Sequence, residues 1–232
     1  MLDNQLPLPI HQIDDDSLDN FFVGGNSLLL ASLLKNLEKT EQQFFYLWGT
    51  RSCGKSHLLK AISNRVLTEG RPAIYVPLSK SRYFSPAVLE NLERQDAVCL
   101  DDLQAVVGQP EWEIAIFDLF NRIKEGGRTL LLISALQSPH ALPVELPDLA
   151  SRLMWGEIYQ LHELNDEQKI RALQQDARRR GIELPDETAS FLLKRLKRDM
   201  KTLFEALLRL DKASLQAQRK LTIPFVKETL GL

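Results

Sequence analysis

Gly49-Thr50-Arg51-Ser52-Cys53-Gly54-Lys55-Ser56 fits the phosphate-loop pattern G-x-x-x-x-G-K-[ST] and directly follows the apolar run Phe44-Phe45-Tyr46-Leu47-Trp48. A strand running into a glycine loop and then a helix is the setting this pattern requires. The backbone N–H groups of such a loop curl round a β-phosphate, helped by the positive end of the helix that starts near Lys55. Lys55 reaches the β- and γ-phosphates, and the Ser56 hydroxyl takes Mg²⁺. His57, the next residue, is grouped with the loop as nucleotide-binding. An unliganded glycine turn is the plain alternative, and the strand in front argues against it.

Working outward, strands and helices alternate. A helix is expected over Asn26 to Glu38, capped by Asn26, with Leu28, Leu29, Ala31, Leu34 and Leu37 as apolar faces. Lys55 to Leu67 continues as a helix, Ala73 to Pro77 is a short strand, and Pro86 to Leu92 a short helix. Ala97-Val98-Cys99-Leu100-Asp101-Asp102 reads as a buried strand ending in two carboxylates. Glu111 to Lys124 has helical periodicity, Thr129 to Ser134 is a strand covered on both faces, and Glu157 to Leu161 is a fifth strand. From Asn165 onward only helices are expected, over 166–180, 186–196, 200–218 and 222–230. The fold class is therefore α/β: a parallel five-stranded sheet with a small C-terminal helical lid. The domains divide as a tail over 1–20, a nucleotide-binding domain over 21–163 and a lid over 164–232.

A chain of 232 residues, 44% hydrophobic and 26% charged, has the length for a real core in one or two domains. A net charge of −2 gives no global basic field for nucleic acid, although the C-terminal part carries more Lys and Arg than Asp and Glu. The start, Met1-Leu2-Asp3-Asn4, has no signal-peptide character, and no apolar run is long enough to span a membrane. The two cysteines, Cys53 and Cys99, read as reduced thiols, so a cytoplasmic protein is expected. His11, His57, His140 and His162 have no metal-ligand spacing, and no zinc is expected.

Asp101 ends an apolar strand after the phosphate loop, where open α/β sheets place their ligands. It is assigned to Mg²⁺, and Asp102 to orienting an attacking water as general base. Ser134 ends the next strand at the same edge and is either a γ-phosphate sensor or an ordinary strand-ending serine. Arg152, on the amphipathic segment Asp148 to Leu153 just beyond that edge, is either a solvated helix arginine or a stabiliser of a phosphoryl transition state.

Asp19-Asn20-Phe21-Phe22-Val23-Gly24, the phosphate loop, Leu100-Asp101-Asp102-Leu103-Gln104 and Ser151-Arg152-Leu153-Met154-Trp155-Gly156 together resemble AAA+ ATPases of the bacterial replication-initiator DnaA type, over residues 18–230. The resemblance implies that Phe22 and Val23 lie against adenine and that Arg152 is an arginine finger acting in trans. Initiators carry a helix-turn-helix domain after the lid and a longer insertion between the second and third strands. Here the sequence ends at Leu232, and Leu78 to Asp96 fills that interval, so a regulator is expected rather than an opener of DNA. Gln5-Leu6-Pro7-Leu8-Pro9 resembles the Q-L-x-L-[FP] motif by which replication proteins dock on the β sliding clamp.

Two departures bear on γ-phosphate sensing. Ala135 stands where initiators have an aspartate, and Lys201 where the lid carries a sensor arginine, which loses the bidentate fork. Weak intrinsic hydrolysis is expected, with ADP or another nucleoside diphosphate held and ATP possible. The reading is a negative regulator of replication initiation that joins the DNA-loaded clamp and drives hydrolysis of ATP bound to DnaA. It meets DNA through the clamp and forms homo-oligomers. A helicase loader or DNA-remodelling ATPase is the first alternative, and a small-molecule kinase the last.

Overall fold

Alternate residues of each strand point to opposite faces, and here both faces are covered. The computed structural model describes residues 16–38 and 43–232. Its elements run α1 (Ser27–Glu38), β1 (Phe44–Trp48), α2 (Lys55–Thr68), β2 (Ala73–Pro77), β3 (Ala97–Asp101), α3 (Pro110–Gly126), β4 (Leu130–Ala135), α4 (Pro147–Leu153), β5 (Glu157–Gln160), α5 (Asp166–Arg179), α6 (Asp186–Arg195), α7 (Met200–Ala217) and α8 (Ile223–Leu230). The sheet has the order β2-β3-β4-β1-β5, and every pairing is parallel.

Phe44, Tyr46, Val98, Leu100, Leu131 and Ile133 face one core with Trp112, Ile116 and Phe120 of α3 and Leu149 and Leu153 of α4. Phe45, Leu47, Cys99, Leu130 and Leu132 face the other, with Leu33 of α1 and Leu58 and Ile62 of α2. A third cluster, including Leu173, Leu192, Leu207, Leu210 and Phe225, holds the four lid helices together. Asn165 and Gln168 form a reciprocal capping box that starts α5.

The expected elements are present with shifts that have local causes. The helix expected over Pro86–Leu92 is instead two 3-10 turns, Pro86–Leu89 and Leu92–Arg94, separated by Asn91 at φ 60°. Asparagine tolerates this left-handed geometry, which an α-helix cannot continue through. In α1, Leu29, Leu33 and Leu37 are buried, whereas Leu28 is 80% exposed, so the apolar stripe is narrower than expected. Asn26 turns its side chain across the fold: Nδ2 donates to the His162 carbonyl at 3.3 Å, and Oδ1 accepts from His162 N at 2.9 Å. Residues 16–20, assigned by composition to the tail, dock on α2. Lys60 Nζ meets Asp16 Oδ2 at 3.0 Å, Asn64 Nδ2 donates to the Asp16 carbonyl at 3.0 Å, and His57 Nε2 lies 3.1 Å from the Ser17 carbonyl. The Gln5–Pro9 motif lies outside the described residues.

Gly156, which leads into β5, has φ 76°, and a Cβ there would lie 2.1 Å from the Phe44 carbonyl oxygen. Gly127, which closes α3, has φ 71° and nothing within 4 Å. Gly127→Ala therefore carries only the conformational cost, about 1–2 kcal/mol, whereas Gly156→Ala adds a backbone collision and loses roughly 2–5 kcal/mol in all. Urea unfolding of the two variants measures the difference.

Candidate functional site

The in-register pairing of β1 with β4 brings Trp48 level with Ala135, and Gly49 N donates to the Ala135 carbonyl at 3.3 Å. The phosphate loop therefore leaves the sheet beside the end of β4. Gly49 has no room for a side chain: a Cβ would lie 2.5 Å from the Leu161 carbonyl oxygen and 2.9 Å from Cys53 Sγ. Gly54 caps α2 at φ 105°, and Ser52 takes φ 63°, so the loop is wound through left-handed positions that turn its N–H groups inward. Thr50, Arg51 and Ser52 are exposed, and Cys53 is buried. Burial pushes the Cys53 thiol up, while the neighbouring Lys55 pulls the other way.

Lys55 is only 5% exposed. Its ammonium meets three acceptors of its own loop: the carbonyls of Gly49 at 2.8 Å and Thr50 at 2.7 Å, and Cys53 Sγ at 3.6 Å. Phosphate oxygens displace such neutral acceptors readily, because their negative charge adds ion–ion attraction to what are otherwise ion–dipole hydrogen bonds. Phe21 closes over the loop, its ring 3.4 Å from a Cβ built on Gly54 and 5.9 Å from the His57 ring.

Asp101 ends β3 on the α2 face and is 2% exposed. Tyr75 Oη donates to its Oδ2 at 2.6 Å, and Ser134 Oγ donates to its Oδ1. Among the described residues no cation forms an ion pair with this carboxylate. A buried carboxylate with only neutral donors fits a divalent cation, which would complete its charge balance. Ser56 and Asp101 would hold Mg²⁺, which neutralises phosphate charge when bound. Asp102 has a left-handed backbone, φ 63° and ψ 50°. Its N–H donates to Ser134 Oγ at 3.0 Å, and its Oδ1 accepts from Gln104 Nε2 at 2.9 Å. Gln104 Oε1 in turn accepts from Leu136 N at 3.1 Å. Ser134 is fully buried, and its hydroxyl joins the two acids rather than opening to the edge.

Arg152 is placed differently from its expected position beyond the carboxyl edge. Its guanidinium lies 3.8 Å over the Trp155 ring and 5.5 Å from Phe117, and its buried Nε has no hydrogen-bond partner. Lys124 Nζ stands 4.0 Å from the same indole, and Trp155 contacts Phe44, the first residue of β1, at 6.1 Å. Since the phosphate loop follows the last residue of β1, a strand of 5 residues at about 3.3 Å each separates the two ends. Arg152 therefore lies toward the amino end of the sheet, away from Lys55.

Two partners of the site carry no sequence signal. Glu113, buried in α3, accepts from the N–H groups of Gly108 at 2.8 Å, Glu145 at 3.0 Å and Leu146 at 2.7 Å, and so fixes the segment that begins α4. Tyr75 is legible only through register, since it pairs with Cys99 and shares a face with Asp101. On the lid side, Phe22 lines a cleft of about 600 Å³ with Arg171, Gln174, Gln175, Arg178 and Arg179 of α5. Val23 is half-buried beside it, and its carbonyl accepts from Asn26 N at 2.9 Å. Lys201, at the start of α7, is 85% exposed and 3.9 Å from Glu205.

The strand order, with the loop-bearing β1 between β4 and β5 and four lid helices following in the chain, is the fold of an AAA+ protein, and the family models place the chain in that class. The family model for the bacterial DnaA ATPase domain matches residues 14–160, and that for the lid domain of Hda matches residues 166–230. The chain belongs to this DnaA family, as an Hda-like, DnaA-related AAA+ protein with the makeup of a replication regulator. A protein of Haemophilus influenzae, described only as uncharacterized, is 67% identical over 231 residues, covering 100% of both chains. Domain III of the replication initiation protein DnaA from Thermotoga maritima superposes with a TM-score of 0.76 at 21% identity, over 94% of this chain and 96% of that one. AMPPCP-bound DnaA from Aquifex aeolicus gives 0.71 at 22% identity, over 86% of this chain and 66% of that one. No helix among the described residues is long and apolar enough to cross a membrane.

Replacing Lys55 removes the one buried cation of the loop. Lys55→Ala is expected to weaken ADP binding by about 10- to 100-fold, the worth of a charge-assisted hydrogen bond, and calorimetric titration measures it.

Proposed function

We propose that this chain is a negative regulator of DNA replication initiation. It holds ADP or another nucleoside diphosphate, docks on the DNA-loaded sliding clamp through Gln5-Leu6-Pro7-Leu8-Pro9, and supplies Arg152 in trans to the ATP of a neighbouring DnaA. The initiator is left in its ADP form. The observation that carries this reading is the position of Arg152, toward the amino end of the sheet and away from the chain's own phosphate loop, with its guanidinium face stacked on Trp155. Stacking occupies the flat faces of a guanidinium and leaves its edge donors for phosphate oxygens. Glu113 anchors the segment from which α4 starts, so the finger stands on a supported helix.

The partner supplies the phosphoryl group and its own metal; this chain supplies positive charge where charge develops in the transition state. An arginine delivered in trans is worth about 10³–10⁵ in rate in the GTPase case. The chain's own acids support holding rather than turning over a nucleotide. Asp102 is bound to Gln104, Ser134 to Asp101, and Lys201 stands in solvent. Self-association through AAA+ interfaces would cover Arg152 in one copy with another, and a cytoplasmic setting follows from the replication partners.

Mixing ATP-loaded DnaA with clamp, DNA and this protein tests the assignment. Arg152→Ala is expected to abolish the stimulated hydrolysis, by about 10³-fold or more, while still binding ADP. Gln5→Ala with Leu6→Ala is expected to remove only the clamp- and DNA-dependent stimulation. Full stimulation by Arg152→Ala would instead support an ATPase that works through its own nucleotide cycle, such as a helicase loader.

A further inference from the structure

Tyr75 takes no part in the proposed delivery of Arg152, yet it touches Asp101, which is assigned to a divalent cation. Its ring lies on β2, half-buried on the face that carries α2, with Lys60 Nζ 5.7 Å from the ring centroid. Lys60 is itself held by Asp16, so the ring is flanked by a cation that other contacts fix in place. The Tyr75 hydroxyl donates to Asp101 Oδ2 at 2.6 Å. Ser134 donates to the other oxygen, Oδ1, so each oxygen of the Asp101 carboxylate accepts one hydroxyl.

This arrangement matters to a cation. A carboxylate oxygen that accepts one hydrogen bond keeps a lone pair for a metal-bound water. We propose that Tyr75 is a positioning residue of the divalent-cation site, which fixes the Asp101 carboxylate so that its remaining lone pairs face the metal. Without the phenol hydroxyl, Asp101 keeps only the Ser134 bond and is free to turn, and the site is no longer preorganised. Outer partners of this kind are generally worth about 10- to 100-fold in metal affinity.

The test uses the full chain and reads the metal rather than turnover. Mn²⁺ affinity of the ADP complex, followed by electron paramagnetic resonance, is compared for wild type, Tyr75→Phe and Asp101→Asn, and ADP affinity is measured separately in EDTA. Tyr75→Phe is expected to bind Mn²⁺ about 10- to 100-fold more weakly, with ADP affinity in EDTA within about twofold of wild type. Asp101→Asn marks the loss of a direct participant. Unchanged Mn²⁺ affinity in Tyr75→Phe overturns the proposal. So does an equal loss of ADP affinity with and without metal, which would make Tyr75 a packing residue. The outcome does not depend on whether Arg152 acts on a partner, so the two readings fail separately.

Discussion

Five parallel strands give a sheet two chemically unlike ends, and every functional assignment in this chain follows from that polarity. At the carboxyl end the strands release loops whose N–H groups and acids converge, so Asp101, Asp102 and Ser134 stand at the same end as Lys55, the first residue of α2. At the amino end the strands receive chain from the helices, and here the crossing from α4 into β5 must pass close to β1. Gly156 lies against the Phe44 carbonyl, and that closeness puts Trp155, and with it Arg152, at the far end. Antiparallel pairing would have mixed the two sets. Parallel pairing keeps Lys55, Asp101 and Ser134 apart from Arg152.

Within the carboxyl end, charge is handled by two opposite devices. The Lys55 cation is surrounded by dipoles of its own loop, so it is kept near the phosphate position by acceptors that are weaker than phosphate. The Asp101 anion is surrounded by hydroxyls that orient it without neutralising it. A buried carboxylate left in that state is costly, and the cost falls when a cation arrives. Glu113 shows the third solution, an anion satisfied by main-chain N–H groups alone, and its role is accordingly structural.

Much of this was legible in the sequence because it is local. The phosphate loop, the acids after β3, the strand alternation and the division into sheet and lid rest on spacing within single segments, where residue type and backbone geometry are tightly coupled. What was not legible depends on pairs far apart in the chain. Tyr75 meets Asp101 only because β2 and β3 are in register, Glu113 meets Leu146 through packing of α3 beneath a loop, and Arg152 falls at the amino end because a seven-residue helix reverses direction before β5. The short helix expected over Pro86–Leu92 failed for a local reason, since Asn91 adopts a left-handed turn that spacing does not reveal. Asn26 was read as a cap, the commonest use of such a residue, and its amide is engaged 136 residues away.

That last contact changes what kind of joint the lid has. His162 belongs to the short stretch between β5 and α5, and Asn26 belongs to the turn that carries Phe22 and Val23. Gly24 in the same turn is packed so closely on Leu164 that a Cβ would lie 2.6 Å from its Cδ2. The linker is therefore clasped to the turn that carries Phe22 and Val23 rather than running free, so that turn and the stretch leading into α5 are held as one unit.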